Sequence, residues 1–585
     1  MLKKKSVINL SNEEARKFFL SKESYFSLNL PPYFDLDAIL KQAVDELGTG
    51  EIKDIKGKIL KNHTEKGIEY NNYENVNYTF QLNKTKNTYR PVTLLHPYIY
   101  VDLVNFLTKE KNWDVITRRF RELRVISQQH ITCHSIPFVP ENNLEDKKEA
   151  SLKFWKDIEQ ESIKLSLEYK YLTKLDISNF YSSIYTHTIP WAFHGIEASK
   201  NDSRNQDLFG SKLDKKFQNM NNRETVTIPQ GNKVSDLIAE VLLAYIDVLL
   251  TKHVDSTIKY KILRYRDDYR IFTDTIEDAN TIKRELITIL QRHKLSLGEN
   301  KTSQSSEVVR DSIKEDKLFW IMHDPVIKIT NDKIYKKHRD IAIKTYPFLR
   351  NKNFKIKNKR VRWIMDNRIY QATVQKHLLI IREFSEAYPN SGQLIGAFKE
   401  FDSRISNWKN SDFVNAGTDI GVLLAIVTDI VKKNPKATES GVKTISLLLS
   451  KINYRTTFNK IFESWRNQRL RLSDFEYKLL LLNQVYSNLA KSNYNDYLEI
   501  WFQRLVVKNL SEQSDFIKKY TDNVKNNLAK IVYEVINNDV KTALFCEDWL
   551  KDDKKINLSL LINQENISSL EDIITNSEMR FSDYN

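Results

Sequence analysis

The chain has 585 residues and a mass of 69.0 kDa, more than one compact core accommodates, so at least two domains are expected. With 41% hydrophobic and 29% charged residues it is neither a disordered nor a fibrous sequence, and its 2 cysteines, Cys133 and Cys546, exclude a disulfide framework and a thiolate-rich zinc site. A formal net charge of +15 biases it toward polyanions.

Glycine and proline number only 13 and 12, against usual shares of about 7% and 5%, so the chain is short of turn signals and rich in helix. At the N-terminus Lys3 to Lys5 precede Asn9, Ser11, Asn12, Glu13 and Glu14, which interrupt any apolar region of a signal peptide. No apolar run approaches the roughly 18 residues needed to cross a bilayer. A soluble cytoplasmic protein without a membrane partner is expected.

Helical spacing without a breaker runs over residues 146–170, and YLTKLDI then alternates like a strand that ends on Asp176. A second long helix opens after Pro229-Gln230-Gly231. Val234, Leu237, Ile238, Val241, Leu242, Tyr245, Val248 and Leu249 form its apolar stripe, with Asp236, Glu240 and Asp247 elsewhere. IKYKILRYR and YRIFT read as a hairpin joined through Asp267-Asp268, followed by a helix near 276–293 and a strand-like piece around LSLGENK. This order of strand, helix, hairpin, helix and strand is that of a ferredoxin-like α/β sheet.

Beyond residue 330 strand signals nearly vanish. GVLLAIVTDIVKK, VKTISLLLSKINY, FEYKLLLLNQVYSNL, YLEIWFQRLVVKNL and VKNNLAKIVYEVI are amphipathic and helical in length, which predicts an all-α array, HEAT-like in outline. Charge marks a segment between the two parts. Residues 331–410 hold 18 Lys/Arg against 7 Asp/Glu, a net of +11, while residues 1–330 net +4 and residues 411–585 net zero. Tyr335, Tyr346, Phe348, Phe354 and Trp363 interleave with these bases, a composition suited to gripping a phosphate backbone and stacking on bases. The expected division is therefore 1–330, a basic helical connector 331–410, and a helical domain 411–585.

The chemistry lies in carboxylates. Asp552-Asp553, in LKDDKKIN, has lysine and polar neighbours and reads as an ordinary solvated loop. Asp267-Asp268 differs, being bracketed by the apolar positions Ile262, Leu263, Tyr265, Ile271 and Phe272. Two like charges at the end of a buried hairpin repel each other and are costly to desolvate, a cost that a cation removes. Asp176, closing another strand, is a third ligand. Carboxylates and water suit magnesium. Two such ions about 3.5–4 Å apart activate a primer hydroxyl and offset charge on leaving pyrophosphate, so nucleotidyl transfer is expected.

At this point the residues resemble a known family. LDISNFYSSIY looks like motif A of reverse transcriptases, IPQGNKVSD like motif B, YRDD like the YxDD of motif C, and GENKT like motif D, in the right order over residues 171–303. Tyr185 to Lys200, beginning YTHTIPWAFHG, is similar to a stretch that follows motif A in bacterial abortive-infection and other defence-associated enzymes, the AbiK-like group among the unknown-group reverse transcriptases. That resemblance implies a fingers-palm core over residues 80–303 followed by a helical C-terminal domain. It implies Asp176, Asp267 and Asp268 as ligands of two Mg2+ (or Mn2+) ions. It implies Tyr181 against the incoming sugar, with Phe180 in the core, and Gln230 and Gly231 beside the nascent pair. Lys301 would serve the pyrophosphate as proton donor or counter-charge, and Arg90 the triphosphate. Arg266 departs from the pattern, since many relatives carry a small or apolar residue there.

The resemblance further implies a DNA polymerase working from dNTPs in antiphage defence. Such enzymes extend DNA without a template, prime from a protein tyrosine to which the DNA product stays attached, and form homo-oligomers. The chain has 28 tyrosines, Tyr584 among them, and the sequence does not single out a primer. Two other readings stand beside this one. In the first, a reverse transcriptase copies a dedicated RNA held by the basic segment. In the second, a nucleic-acid-binding scaffold keeps a vestigial palm, against which the intact aspartates speak. No zinc-finger, endonuclease or integrase constellation is evident, because His130, Cys133 and His134 are too tightly clustered and lack further ligands.

Overall fold

The computed structural model describes residues 6–55, 75–85, 88–139, 157–202, 207–298, 302–327, 372–452, 474–490, 496–507 and 515–568. The densest part of the basic segment, residues 331–371, lies outside them, as do Lys301 and Tyr584.

In chain order the N-terminal region contributes helix α1 (Leu36–Leu47) and the hairpin β1 (Tyr78–Thr85) and β2 (Thr88–Leu94), followed by α2 (Pro97–Leu107) and α3 (Glu110–Ser127). The sheet is built from β3 (Ile131–Cys133), β4 (Tyr171–Asp176), β5 (Tyr260–Tyr265), β6 (Asp268–Thr273) and β7 (Ser303–Ser305). Between β4 and β5 stand α4 (Phe209–Asn219) and the long α5 (Lys233–His253); between β6 and β7 stands α6 (Ile276–Arg292). Residues 157–165 are helical, within the stretch expected to be so.

The strand order is β3-β5-β6-β4-β7. Every neighbouring pair is antiparallel except the edge pair β3 and β5. Strands β4, β5, β6 and β7 with α5 and α6 thus reproduce the expected ferredoxin-like order. One element falls elsewhere. The last strand is Ser303–Ser305 rather than LSLGENK, of which Leu297 makes only an isolated bridge to Ile177. The backbone N–H of Gly298 donates to the Asp176 carbonyl at 2.7 Å, which takes that segment round the end of β4 before the ladder resumes.

Helix α5 begins at a built cap. The Asn232 side chain accepts from Ser235 N–H at 2.8 Å and donates to the Pro229 carbonyl at 3.2 Å, which ties the Pro-Gln-Gly turn to the first helical turn. Its apolar stripe is buried from Val234 to Val248, with Leu249 partly so, but Asp236, Glu240 and Asp247 are buried as well, at 8%, 1% and 2% exposure. The acidic face turns toward the β5–β6 hairpin instead of water.

The chain leaves the sheet through α7 (Glu315–Ile327) and continues as α8 (Val374–Ala387), α9 (Gln393–Ile405), α10 (Ile420–Lys433), α11 (Thr438–Ser450), α12 (Asp474–Ala490), α13 (Asp496–Gln503), α14 (Asp515–Asn523) and α15 (Asn527–Ile536). This part is helical as expected, although YLEIWFQRLVVKNL is helical only to Gln503 and the helix within VKNNLAKIVYEVI starts at Asn527. A regular HEAT-like repeat is not established among the described residues. The helices close back on the N-terminal part. The Gln81 backbone N–H donates to Asp496 at 2.9 Å, Trp501 Nε1 to the Asn29 carbonyl at 3.2 Å, and Asn563 N–H to the Tyr33 carbonyl at 2.8 Å. One buried apolar cluster runs from Val7 to Ile562.

Candidate active site

Strand register brings the aspartates together. In the antiparallel pair β4–β6, Asp176 stands directly opposite Asp268, the last residue of one strand against the first of the other. Such partners have Cα atoms about 4.5–5.5 Å apart. Asp267 occupies the turn beside them, and its carbonyl accepts from the Ile177 N–H at 3.1 Å. Asp176 is 7% exposed, and Asp267 and Asp268 are half-buried. Burial lowers the proton affinity of Arg270 and Lys314, and Asp268 opposes that shift at both. Backbone register therefore places Asp176, Asp267 and Asp268 at one end of the sheet, with Arg270 and Lys314 as cationic neighbours of Asp268.

Among the described residues no group of three or more His, Cys, Asp or Glu side chains is arranged to hold a metal ion. The donor chemistry fits magnesium nonetheless. Mg2+ commonly takes one or two carboxylates and fills its octahedron with water and substrate phosphates, and adjacent strands present Asp176 and Asp268 in that way.

Three other elements border this end of the sheet. Asn179, at φ 45°, caps the short helix Phe180–Ser183. Tyr181, on that helix, is buried, and its hydroxyl donates to Asp236 of α5 at 2.7 Å. Burial raises the Tyr181 phenol well above its ordinary value. Phe180 is in the core, as expected. The second border is the Pro-Gln-Gly turn. Gly231 has φ +124°, and a Cβ there would sit 2.8 Å from Val92 Cγ1. The Gln230 carbonyl accepts from Thr93 N–H at 2.8 Å, so this turn is stitched to the β1–β2 hairpin. Arg90 stands exposed on that hairpin, opposite Leu82.

The third border is a buried ionic network under the β5–β6 turn. Arg264, fully buried, donates through Nη1 to Glu240 at 3.0 Å and through Nε to Asp247 at 2.9 Å. Arg266 donates to Asp236 at 2.8 Å, and its backbone N–H donates to Ser135 at 2.7 Å. Ser135 in turn donates to Glu240. Burial pulls Asp236 upward, yet Arg266 and Lys233 outweigh it and hold the carboxyl below its usual range. Asp247 goes the other way, raised by burial against the pull of Arg264. Arg266, the residue that departs from the family pattern, pairs through its side chain with Asp236 of α5. The acids of α5 and Ser135 were not legible as neighbours of the turn. The available signal was Arg264 next to the apolar run Ile262-Leu263 of β5, with Arg266 two residues on in the turn.

Residues 82–321 match the family model of reverse transcriptase (RNA-dependent DNA polymerase), so this part of the chain is a reverse-transcriptase domain, which supports a nucleotidyltransferase activity of that type. The apo telomerase of Candida tropicalis aligns at 10% identity and a TM-score of 0.28, covering 85% of this chain and 75% of that one. The telomerase of Candida albicans in complex with a TWJ fragment of telomeric RNA aligns at 10% identity and 0.27, covering 74% and 68%. Superpositions at this level carry no functional argument. No curated protein matches the chain. Among the described residues no helix is long and apolar enough to cross a membrane.

Proposed function

We propose that this chain is a DNA polymerase of the reverse-transcriptase type that serves antiphage defence, joining dNTPs into DNA without a template and from a protein tyrosine. The cross-strand pairing of Asp176 with Asp268, with Asp267 in the adjoining turn, carries the polymerase part of this reading. The run Tyr185 to Lys200 and the helical C-terminal part support the defence assignment.

In the proposed reaction the primer hydroxyl oxygen bonds to the α-phosphorus of the dNTP, the α–β phosphoanhydride bond breaks, and pyrophosphate leaves while the hydroxyl proton passes to solvent. Asp176, Asp267 and Asp268 are the ligands for divalent ions. When bound, magnesium lowers the pKa of the attacking hydroxyl and offsets charge on the pyrophosphate. Tyr181 packs against the sugar, Gln230 and Gly231 border the nascent pair, and Arg90 and Lys301 meet the phosphates. A protein-linked primer, dNTP selectivity and a homo-oligomeric assembly belong to the same reading.

Incubating the purified chain with each dNTP and Mg2+, with and without an added primer–template, tests it. DNA made without template, and a mass shift on a tyrosine peptide, are the expected results. DNA made only with an RNA template would replace this reading by a templated enzyme whose basic segment, net +11 over residues 331–410, holds that RNA. No product at all would leave a binding scaffold. Asp267→Asn with Asp268→Asn is expected to cut synthesis about a thousandfold or more, the scale of several kcal/mol of lost transition-state stabilisation. Phage plating on cells carrying the wild-type or the double variant checks the defence role.

A further inference from the structure

The β5–β6 turn contains an oddity of backbone as well as of side chain. Tyr265 pairs with Asp268, so Arg266 and Asp267 form a two-residue turn, and Arg266 has φ 52°. Glycine is favoured where the first central residue of such a turn is left-handed; a larger residue there carries strain and persists only when its surroundings hold it. The surroundings do hold Arg266. Its N–H is bound by Ser135, its guanidinium by Asp236, and its carbonyl by Nη1 of Arg264 at 3.3 Å.

Asp236 is the shared partner. One carboxylate oxygen accepts from Arg266 at 2.8 Å, the other from the Tyr181 hydroxyl at 2.7 Å. Lys233 reaches the first oxygen at 3.4 Å. The Asp236 side chain is 10% exposed and that of Arg266 31%, so the pair sits at the edge of the buried network rather than out in solvent. A charge-assisted hydrogen bond in such a place is stronger and more directional than a surface ion pair. The chain Arg266–Asp236–Tyr181 thus ties the carboxylate turn, the start of α5 and the helix that follows Asp176 into one unit.

We propose that Arg266 is a positioning residue for nucleotide selection, holding Asp236 so that Asp236 fixes the Tyr181 ring and the carboxylate turn in one mutual geometry against the sugar of the incoming nucleotide. This rests on the polymerase reading above and adds to it the residue that sets the tightness of the sugar site. Removing the guanidinium leaves Asp236 held on that side only by the longer 3.4 Å contact to Lys233, so that Tyr181 has a less firmly fixed partner, and a ring that can shift admits a ribose hydroxyl more readily.

The test measures kcat/KM for dNTPs and for rNTPs on the full-length chain with Mg2+. Arg266→Met and Tyr181→Phe are each expected to lower the dNTP-over-rNTP ratio by about tenfold, the loss of one charge-assisted or buried hydrogen bond. Because both act through Asp236, the double variant is expected to fall no lower than the weaker single. Arg266→Lys, which keeps a cation within reach of Asp236, is expected to retain most of the ratio. Should Arg266→Met not fold, loss of the ratio in Tyr181→Phe with retention in Arg266→Lys decides in favour. An unchanged ratio in Tyr181→Phe, an unchanged ratio in a folded Arg266→Met, or losses that multiply in the double variant, overturns the proposal while the polymerase reading stands. Wild-type protein that incorporates neither nucleotide series overturns both.

Discussion

Arg264 is fully buried, and both its ion-pair partners are carboxylates of α5 that lie off the apolar stripe of that helix. A buried pair adds little net stability over an apolar isostere, but removing one partner strands a desolvated charge. Arg264→Met leaves Glu240 and Asp247 unpaired, and unfolding free energy is expected to fall by about 3–5 kcal/mol, read as a lower urea midpoint. Replacing Asp247 by Asn costs less, because burial already raises its proton affinity. Cys133 belongs to the same network: its thiol donates to Glu240 at 3.2 Å, and burial pushes its pKa up to about 11, so slow thiol modification is expected at neutral pH. The position of Asp267-Asp268 at the end of a hairpin was legible from sequence, because an acidic pair between two apolar β-like runs is anomalous on its face. Arg264, Arg266 and the acids of α5 were not, since whether a charge is paired or solvated depends on which element packs against it.

At the scale of elements, the Pro-Gln-Gly turn combines two duties. It starts α5 and it lets the β1–β2 hairpin approach, with Thr93 bonded to the Gln230 carbonyl and Ser27 N–H to the Gly231 carbonyl at 2.7 Å. Gly231→Ala meets both an unfavourable φ of +124° and the Val92 methyl at 2.8 Å. A stability loss of about 1–3 kcal/mol is expected. It should appear as a lower melting temperature, together with a raised KM for dNTPs if the turn borders the nucleotide. The helix-start role of this turn was readable from sequence; the steric need for glycine was not, because Val92 lies far away in the chain. The strand after α6 shows the converse. LSLGENK has a strand-like pattern, yet the ladder forms at Ser303–Ser305, since pairing is decided by where β4 offers unsatisfied backbone groups and not by local alternation.

Across the whole molecule, the helical part packs on α7 and on the β1–β2 hairpin. Phe319 and Trp320 of α7 pack on Phe384 of α8 with ring centroids 5.1 and 4.9 Å apart, and Asp496 of α13 caps the Gln81 N–H of β1. Asp496→Ala is expected to leave sheet protection unchanged while amide hydrogen exchange in residues 78–82 accelerates about tenfold, about 1.4 kcal/mol in local opening. The helical part also carries a pH response. Asp402, buried and bonded to Thr444 Oγ1 at 2.8 Å, is raised by burial to about 8, with Lys443 opposing. Between about pH 4 and pH 8 the folded chain retains a proton that the unfolded chain has released, so stability falls as pH rises through that window and levels off above it. Asp402→Asn is expected to flatten this slope, which is on the order of a few kcal/mol between pH 5 and pH 8, as read by chemical denaturation at both values. Composition, periodicity and four short motifs determined the mixed sheet, the helical C-terminal part and the hairpin that carries Asp267 and Asp268, because each is a local pattern of residue types. Only the tertiary structure decided that the C-terminal helices share a core with the N-terminal elements and that α5 buries its acids against two arginines. Those facts concern which distant surfaces exclude water from one another, and no window of sequence contains both surfaces.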